Sequence, residues 1–235
     1  MPSALAVESI LVENARMITI DANGYFITGS DTDVGKTYIG CELIQQLRAQ
    51  EKIIEVRKPA ESGCVADESG VLVAADATKL STANQHRQPI ERVAPYRFKA
   101  ALAPHRAARL EGRKLALGDL IDACLLDDDE HLLFVEGAGG FYSPLADDGL
   151  NADLASALQL PVVIIVNDRI GAVNQALMTI QAVESRHLPI AAVIMNQVEA
   201  KHEANMDNAA DLRQHCGYAV FQCDYKQPLP RVFKA

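Results

Sequence analysis

The chain has 235 residues, 49% hydrophobic and 23% charged, with a formal net charge of −9. That length and balance suit one compact domain whose core needs no disulfides, and five cysteines without a C-x-x-C pair (Cys41, Cys64, Cys124, Cys216, Cys223) read as reduced thiols in a cytoplasmic protein, with spacing too loose for zinc. An acidic chain repels phosphate backbones, which argues against a nucleic-acid partner, and the longest apolar run, "LPVVIIV" from Leu160 to Val166, is too short to span a membrane.

Residues 1–24, "MPSALAVESILVENARMITIDANG", hold Glu8 and Glu13 and lack the basic start of a signal peptide. They read as an N-terminal extension of unassigned role: either a loose arm, or a short helix with an added strand. "GYFITG" (Gly24–Gly29) reads as a buried strand, and "GKTYIGCELIQQLRAQE" follows with helical spacing at Ile39, Leu43, Ile44 and Leu47. "KIIEVRKP" reads as a second strand. Helices are expected over Ala101–Glu111 and Leu117–Leu126. "HLLFVEG" (His131–Gly137), "PVVIIVND" (Pro161–Asp168) and "PIAAVIMNQ" (Pro189–Gln197) read as further strands, with helices over Ala152–Leu158 and Val173–Arg186 between them. "HEANM" at His202 has Met206 where a zinc-protease motif needs its second histidine, and reads as a solvated helix face. All-apolar strands alternating with helices predict a doubly wound α/β domain over 25–235: a mostly parallel sheet with helices on both faces and ligands at the carboxyl ends of the strands.

"YFITGSDTDVGKTYIG" (Tyr25–Gly40) places a Gly-containing loop between strand and helix, the context of a phosphate loop. Five residues separate Gly29 from Gly35, one more than the common pattern, and Ser30 stands where glycine is usual. Gly35 allows close backbone approach to a ligand, Lys36 can reach β/γ-phosphates, and the Thr37 hydroxyl suits Mg²⁺. Lys58, in "RKPAESG", closes the second strand and suits a phosphate or a developing anion; the alternative is a solvated edge lysine. Glu136, in "LLFVEGAGG", closes an apolar strand, where a carboxylate is costly without a metal or a base beside it; the alternative is an exposed loop acid. Tyr142 replaces the last glycine of a dinucleotide fingerprint.

These pieces in this order resemble the dethiobiotin synthetases, enzymes of biotin synthesis. The lengthened loop Gly-Ser-Asp-Thr-Asp-Val-Gly-Lys-Thr carries the resemblance first. It continues through "KPAESG", "AADATKL", "PYRF", "APHRAA", "VEGAGGFYSPL", "IGAVNQALMT" and "MNQ", from about Tyr25 to Gln197. The resemblance implies a ligase that carboxylates 7,8-diaminopelargonate with CO₂, phosphorylates the carbamate with ATP, and closes a cyclic urea. It implies Mg²⁺ on Thr37, Asp76 and Glu136, with Thr32, Lys36 and Lys58 on the carbamate or the transferring phosphate. Nucleotide contacts fall to Asp33, Val34, Gly35, Gly137, Ala138, Gly139, Asn196 and Gln197, with Asn196 facing the adenine. Ser62 would touch the diamine, as would Asn174 from the partner subunit of a homodimer with shared active sites.

Several positions depart from the family pattern. Asp33 stands where some relatives have glutamate, Glu61 occupies a usually small, neutral place, and Ile170 and Gln175 alter "NDRIGAVNQ". Beyond Gln197 the expected Gly-x-Ile/Leu-Pro segment is replaced by "FQCDYKQPLPRVFKA", which predicts weak selectivity for the base. The main alternative is a switch ATPase of the cell-division or plasmid-partition type, whose loops carry an extra lysine; none of Ser30, Asp31, Thr32 and Asp33 is basic. Amidating synthases of cobalamin synthesis need a further glutamine-hydrolysing domain, and a nucleotide-binding module without activity is the remaining alternative.

Overall fold

The computed structural model describes residues 17–20, 23–128, 130–201 and 203–234. The first strand–helix unit is β1 (Gly24–Gly29) and α1 (Lys36–Arg48), followed by β2 (Ile54–Arg57). A smaller excursion comes next, with β3 (Ala60–Ser62), β4 (Val65–Ala66), β5 (Leu72–Val73), α2 (Ala75–Ala83), α3 (Ile90–Val93), β6 (Tyr96–Phe98), α4 (Pro104–Leu110) and α5 (Leu117–Ala123). Regular alternation then resumes through β7 (Leu132–Gly140), α6 (Asn151–Leu158), β8 (Val162–Asn167), α7 (Ala172–Glu184), β9 (Ile190–Asn196), α8 (Asn208–His215) and β10 (Val220–Cys223).

Six strands form one sheet in the order β10-β9-β8-β1-β7-β2, and every pairing in it is parallel. Two small pairs stand outside it: β3 with β6, parallel, and β4 with β5, antiparallel. Alternation along β1 sends Phe26 into one core and Tyr25 and Ile27 into the other. The Phe26 side is covered by α4 to α8 through Ala107, Leu120, Leu154, Ile180 and Leu212. The Ile27 side is covered by α1 and α2 through Ile39, Leu43, Ile44, Leu47 and Leu80. Because both faces are covered, β1, β8 and most of β7 and β9 are apolar, while β2 buries the ion pair of Glu55 and Arg57; the expected doubly wound α/β fold of phosphate-loop type is the one observed. Among the described residues no helix is long and apolar enough to cross a membrane, and the five cysteines are free thiols.

Several boundaries differ from the sequence reading. Strand β7 runs to Gly140 instead of Gly137, because after a register shift Gly29 pairs with Gly140. Helix α4 starts at Pro104 instead of Ala101, with the proline in its first turn, where a missing N–H costs nothing. Helix α5 stops at Ala123, short of Leu126. The edge strand β10 and helices α2 and α8 were not expected. Glu203–Met206 form a turn, not a helix face, and His202 lies outside the described residues. Of residues 1–24, positions 1–16, 21 and 22 lie outside the described residues; Ile18 forms an isolated parallel bridge with Phe233.

A C-terminal strap lies along α1. Tyr38, Glu42 and Gln46 recur every four residues and so share one side of the helix, and Gln50, in the turn just past its end, continues the row. The Tyr38 hydroxyl donates to the Gln227 carbonyl at 2.8 Å, and Glu42 accepts from the Leu229 amide at 3.1 Å. Gln46 donates to the Pro230 carbonyl at 3.0 Å and accepts from the Val232 amide at 2.8 Å, and Gln50 donates to the Phe233 carbonyl at 3.4 Å. Leu229, Val232 and Phe233 bury their side chains against the same core as α1.

Candidate active site

The loop between β1 and α1 is set by its neighbours. The Ser30 amide donates to the Ile165 carbonyl of β8 at 2.9 Å. Gly35 has φ of 85°, and a Cβ there would lie 2.2 Å from Nδ2 of Asn196, so the position admits only glycine. That same Asn196 amide donates to the Val34 carbonyl at 2.9 Å, tying the end of β9 to the loop. Helix α1 has no side-chain cap and no acid in its first turn, so its N-terminal amides and partial positive charge face the cleft uncompensated. The lengthened loop also folds the Asp31 carbonyl over the Lys36 ammonium, at 3.1 Å.

Glu136 is the buried centre of the site, fully enclosed in β7. Its Oε1 accepts from the Thr37 hydroxyl at 2.7 Å and from Nζ of Lys58 at 2.5 Å, while its Oε2 is buried with no hydrogen-bond partner. Lys58 directly follows the edge strand β2, but it is 5% exposed and also meets Oδ2 of Asp76 at 3.4 Å, so it is not a solvated lysine. Burial works against the Lys58 charge, but Glu136 and Asp76 outweigh it and raise its pKa. Lys36 is different: burial dominates and brings its pKa down to about 8, against the pull of Glu136 and with the repulsion of Lys58. Burial pushes the Asp76 carboxyl up, and Lys58 and Lys79 more than reverse it, so the group lies below the usual range.

Around these groups is a cleft of about 530 Å³ at the carboxyl ends of β1, β2 and β7. The oxygen groups gathered around Lys58 in it are one hydroxyl and two carboxylates, Thr37, Asp76 and Glu136, and among the described residues no cluster of three or more His, Cys, Asp or Glu forms. Hard oxygen donors of this kind fit Mg²⁺, which retains waters and phosphate oxygens in its shell.

A family described as an AAA domain matches residues 23–223. The ATP-dependent dethiobiotin synthetase BioD of Ruthia magnifica subsp. Calyptogena magnifica is 40% identical over 192 residues, covering 82% of this chain and 86% of its own length. The protein of the same name from Vesicomyosocius okutanii subsp. Calyptogena okutanii is 43% identical over 175 residues, covering 74% and 79%. That from Anaeromyxobacter dehalogenans strain 2CP-C is 40% identical over 191 residues, covering 80% and 83%. The chain belongs to the dethiobiotin synthetase family.

In this member of the dethiobiotin synthetase family, residues far apart in sequence line one cleft. Thr32, Asp33, Gly35, Lys36 and Thr37 come from the loop, Lys58 and Ser62 from the β2–β3 region, Asp76 from α2, and Glu136, Ala138 and Gly139 from β7. Val34 is buried beneath the loop, and Gly137 is buried in β7 against Asn151. Asn196 is 4% exposed and committed to Val34, and Gln197 accepts from the Tyr225 amide at 3.4 Å, so both sit between the loop and the strap. Asn174 is exposed on α7 and outside the cleft of its own chain.

The sequence reading missed Tyr38, Lys79, Val198 and Asn151. Tyr38, Lys79 and Val198 line the cleft. Lys79 was legible as the residue three positions beyond Asp76 on a helix, once α2 is known. Asn151 holds the glycine-rich end of β7: its Oδ1 accepts from the Ala138 amide at 3.0 Å, and its Nδ2 donates to the Ala138 and Gly140 carbonyls at 2.6 and 3.2 Å. No local sequence signal points to it.

Proposed function

We propose that this chain is an ATP-dependent dethiobiotin synthetase acting on 7,8-diaminopelargonate, CO₂ and ATP. The observation that carries the reading is the convergence of Lys58 and Thr37 on buried Glu136, in the cleft that Lys36 also lines, at the end of a phosphate loop whose helix points its amides into the cleft. An amine of the diamine adds to CO₂ and loses a proton, giving a carbamate. A carbamate oxygen takes the γ-phosphoryl group of ATP as the bond to the β-phosphate breaks and ADP leaves. The neighbouring amine then attacks the carbamoyl carbon, phosphate departs, and loss of a proton leaves the cyclic urea.

The chain's own residues supply position and charge. The α1 amides and Lys36 hold the β/γ-phosphates, Lys58 meets the oxygens that gain charge during transfer, and Ser62 and Thr32 border the space left for the diamine and carbamate. Thr37, Asp76 and Glu136 would hold Mg²⁺, which neutralises phosphate charge when bound. Lys58 now balances both carboxylates, so it can follow either the metal or the substrate anion. Asn174 reaches the diamine from a second copy of the chain. The test is to incubate the pure chain with ATP, Mg²⁺, bicarbonate and the diamine. ADP release that requires the diamine, with dethiobiotin identified by mass, is expected. ATP hydrolysis indifferent to the diamine would instead assign a switch ATPase.

A further inference from the structure

Helix α2 carries Asp76 in its first turn, yet nothing in its own sequence starts it. Its cap position is Ala74, which offers no side-chain acceptor, and it is followed by Ala75. A helix begun this way leaves its first amides without partners. The acceptors come from another element. Glu61, in β3, is 6% exposed, and its two carboxylate oxygens divide between two amides of that turn: Oε1 accepts from Asp76 and Oε2 from Ala77, both at 2.9 Å. A carboxylate at this end of a helix also meets the favourable end of the helix dipole. Burial pushes the Glu61 carboxyl up, and the two amide bonds and Lys58 pull against that rise.

We infer that Glu61 is a positioning residue of the phosphoryl-transfer site, fixing Asp76 by holding the backbone of the residue whose carboxylate faces Lys58. The inference rests on the reading of Asp76 as a metal-side carboxylate. The amide of Asp76 is tied to Glu61 while its side chain meets Lys58 at 3.4 Å and Lys79 at 3.5 Å. Orientation of Asp76 is therefore set from behind by an acid fifteen positions earlier in the chain. Outer partners of this kind typically change metal affinity or activity by about 10–100-fold when removed. Glu61 also borders the cleft, so a direct contact to a diamine ammonium is the competing role.

The test compares Glu61→Gln, Glu61→Ala, Asp76→Asn and the double variant Glu61→Ala/Asp76→Asn with the full wild-type chain. In the metal-free protein, amide hydrogen exchange at Asp76 and Ala77 is expected to quicken by about tenfold or more in Glu61→Ala, while a core amide such as that of Phe134 is unchanged. With all substrates saturating, the half-activating Mg²⁺ concentration is expected to rise by about tenfold or more with KM for the diamine within twofold, and the double variant is expected to match Asp76→Asn. Glu61→Gln keeps one acceptor oxygen and is expected to fall between, which covers a Glu61→Ala chain that does not fold. Unchanged exchange overturns the inference. So does a raised diamine KM at unchanged Mg²⁺ activation, or losses that add in the double variant. A wild-type chain indifferent to Mg²⁺ would defeat the reading of Asp76 itself, and the exchange result, read without metal, separates that failure from failure of the cap.

Discussion

Lys36 and Lys58 approach the same acid-lined cleft, but their surroundings treat the two charges differently. Lys58 is held charged by Glu136 and Asp76, whereas Lys36, facing a carbonyl and a helix end, is brought to a pKa of about 8 by burial. On the proposed reading both charges lie where the transition state gains charge, so Lys36→Ala and Lys58→Ala are each expected to reduce kcat by about a hundredfold or more. The thermal melt of Lys36→Ala is expected to stay within a few degrees of wild type; that of Lys58→Ala is expected to fall further, since it leaves Glu136 buried without its counter-charge. Near-normal kcat in either variant removes that lysine from the mechanism. The depressed Lys36 value also fixes a sign. The unfolded chain holds this proton up to about pH 10.5 and the folded chain only to about 8. Between those limits the unfolded state binds more protons, so this group makes stability rise with pH; below pH 8 its burial cost is fully present. ATP favours the charged form. Binding at pH 8.5 is therefore expected to take up protons, seen by calorimetry in buffers of different ionisation enthalpy, and Lys36→Ala is expected to lose that uptake. At this scale the sequence was most readable where one residue type does one job: Gly35, Lys36 and Thr37 announce themselves in a strand–loop–helix. Glu61 was visible only as an odd acid beside Ser62, since its partners lie in a helix that its own sequence does not signal.

Among elements, legibility followed the depth of burial. Four of the five strands that were expected, β1, β7, β8 and β9, are mainly apolar runs enclosed on both faces, so their composition marks them, while β2 carries Glu55 and Arg57 as a buried pair at the sheet edge. β10 is short, lies at the sheet edge and contains half-exposed Gln222, which leaves little pattern to read. α2 has only Ala77, Leu80 and Ala83 as buried apolar residues, and it depends on a cap from β3. The C-terminal strap likewise looked like a departure from the family and nothing more. Its backbone is in fact tied to α1 and the turn after it by Tyr38, Glu42, Gln46 and Gln50, a ladder that cannot be recognised until both partners are placed. The strap bears on base recognition. On the proposed reading the loop, Lys36 and the α1 amides grip phosphates whatever the base, and one N–H of the Asn196 side chain is taken by the Val34 carbonyl. Without further side-chain contacts, kcat/KM for ATP is expected to exceed that for GTP or CTP by no more than about tenfold, the value of one hydrogen bond. A thousandfold preference would mean that strap carbonyls and amides read the adenine edge. Gln46→Ala removes the central rung and is expected to cost about 1–3 kcal/mol in denaturant unfolding.

For the whole molecule, the cleft of one chain lacks Asn174, and the surface near that residue is apolar. Ile170 is 71% exposed and Met178 62%, on either side of it, and α7 opens at Gly171 without a cap or an acid in its first turn. Such a helix end suits the carboxylate of a substrate held by a second copy. Mixing an inactive Lys36→Ala chain with an inactive Asn174→Ala chain is expected to restore activity in mixed dimers, up to about a quarter of wild type if pairing is random and each pair has one intact site. No recovery in a verified mixed dimer would make the subunits self-contained.

The place of β1 in the sheet has a kinetic consequence. It is the first described strand, yet it lies between β7 and β8, with Gly24 opposite Leu133 and Phe26 opposite Val162. Both neighbours must be brought back over long stretches of chain before the strand that carries the phosphate loop is flanked, and pairing of this kind is slow because loop closure precedes its reward. The nucleotide grip is therefore expected to form late on the way to the native state. Mg²⁺–ATP added during refolding is expected to leave the folding rate unchanged and to slow unfolding instead, as a ligand does when its site is absent from the transition state.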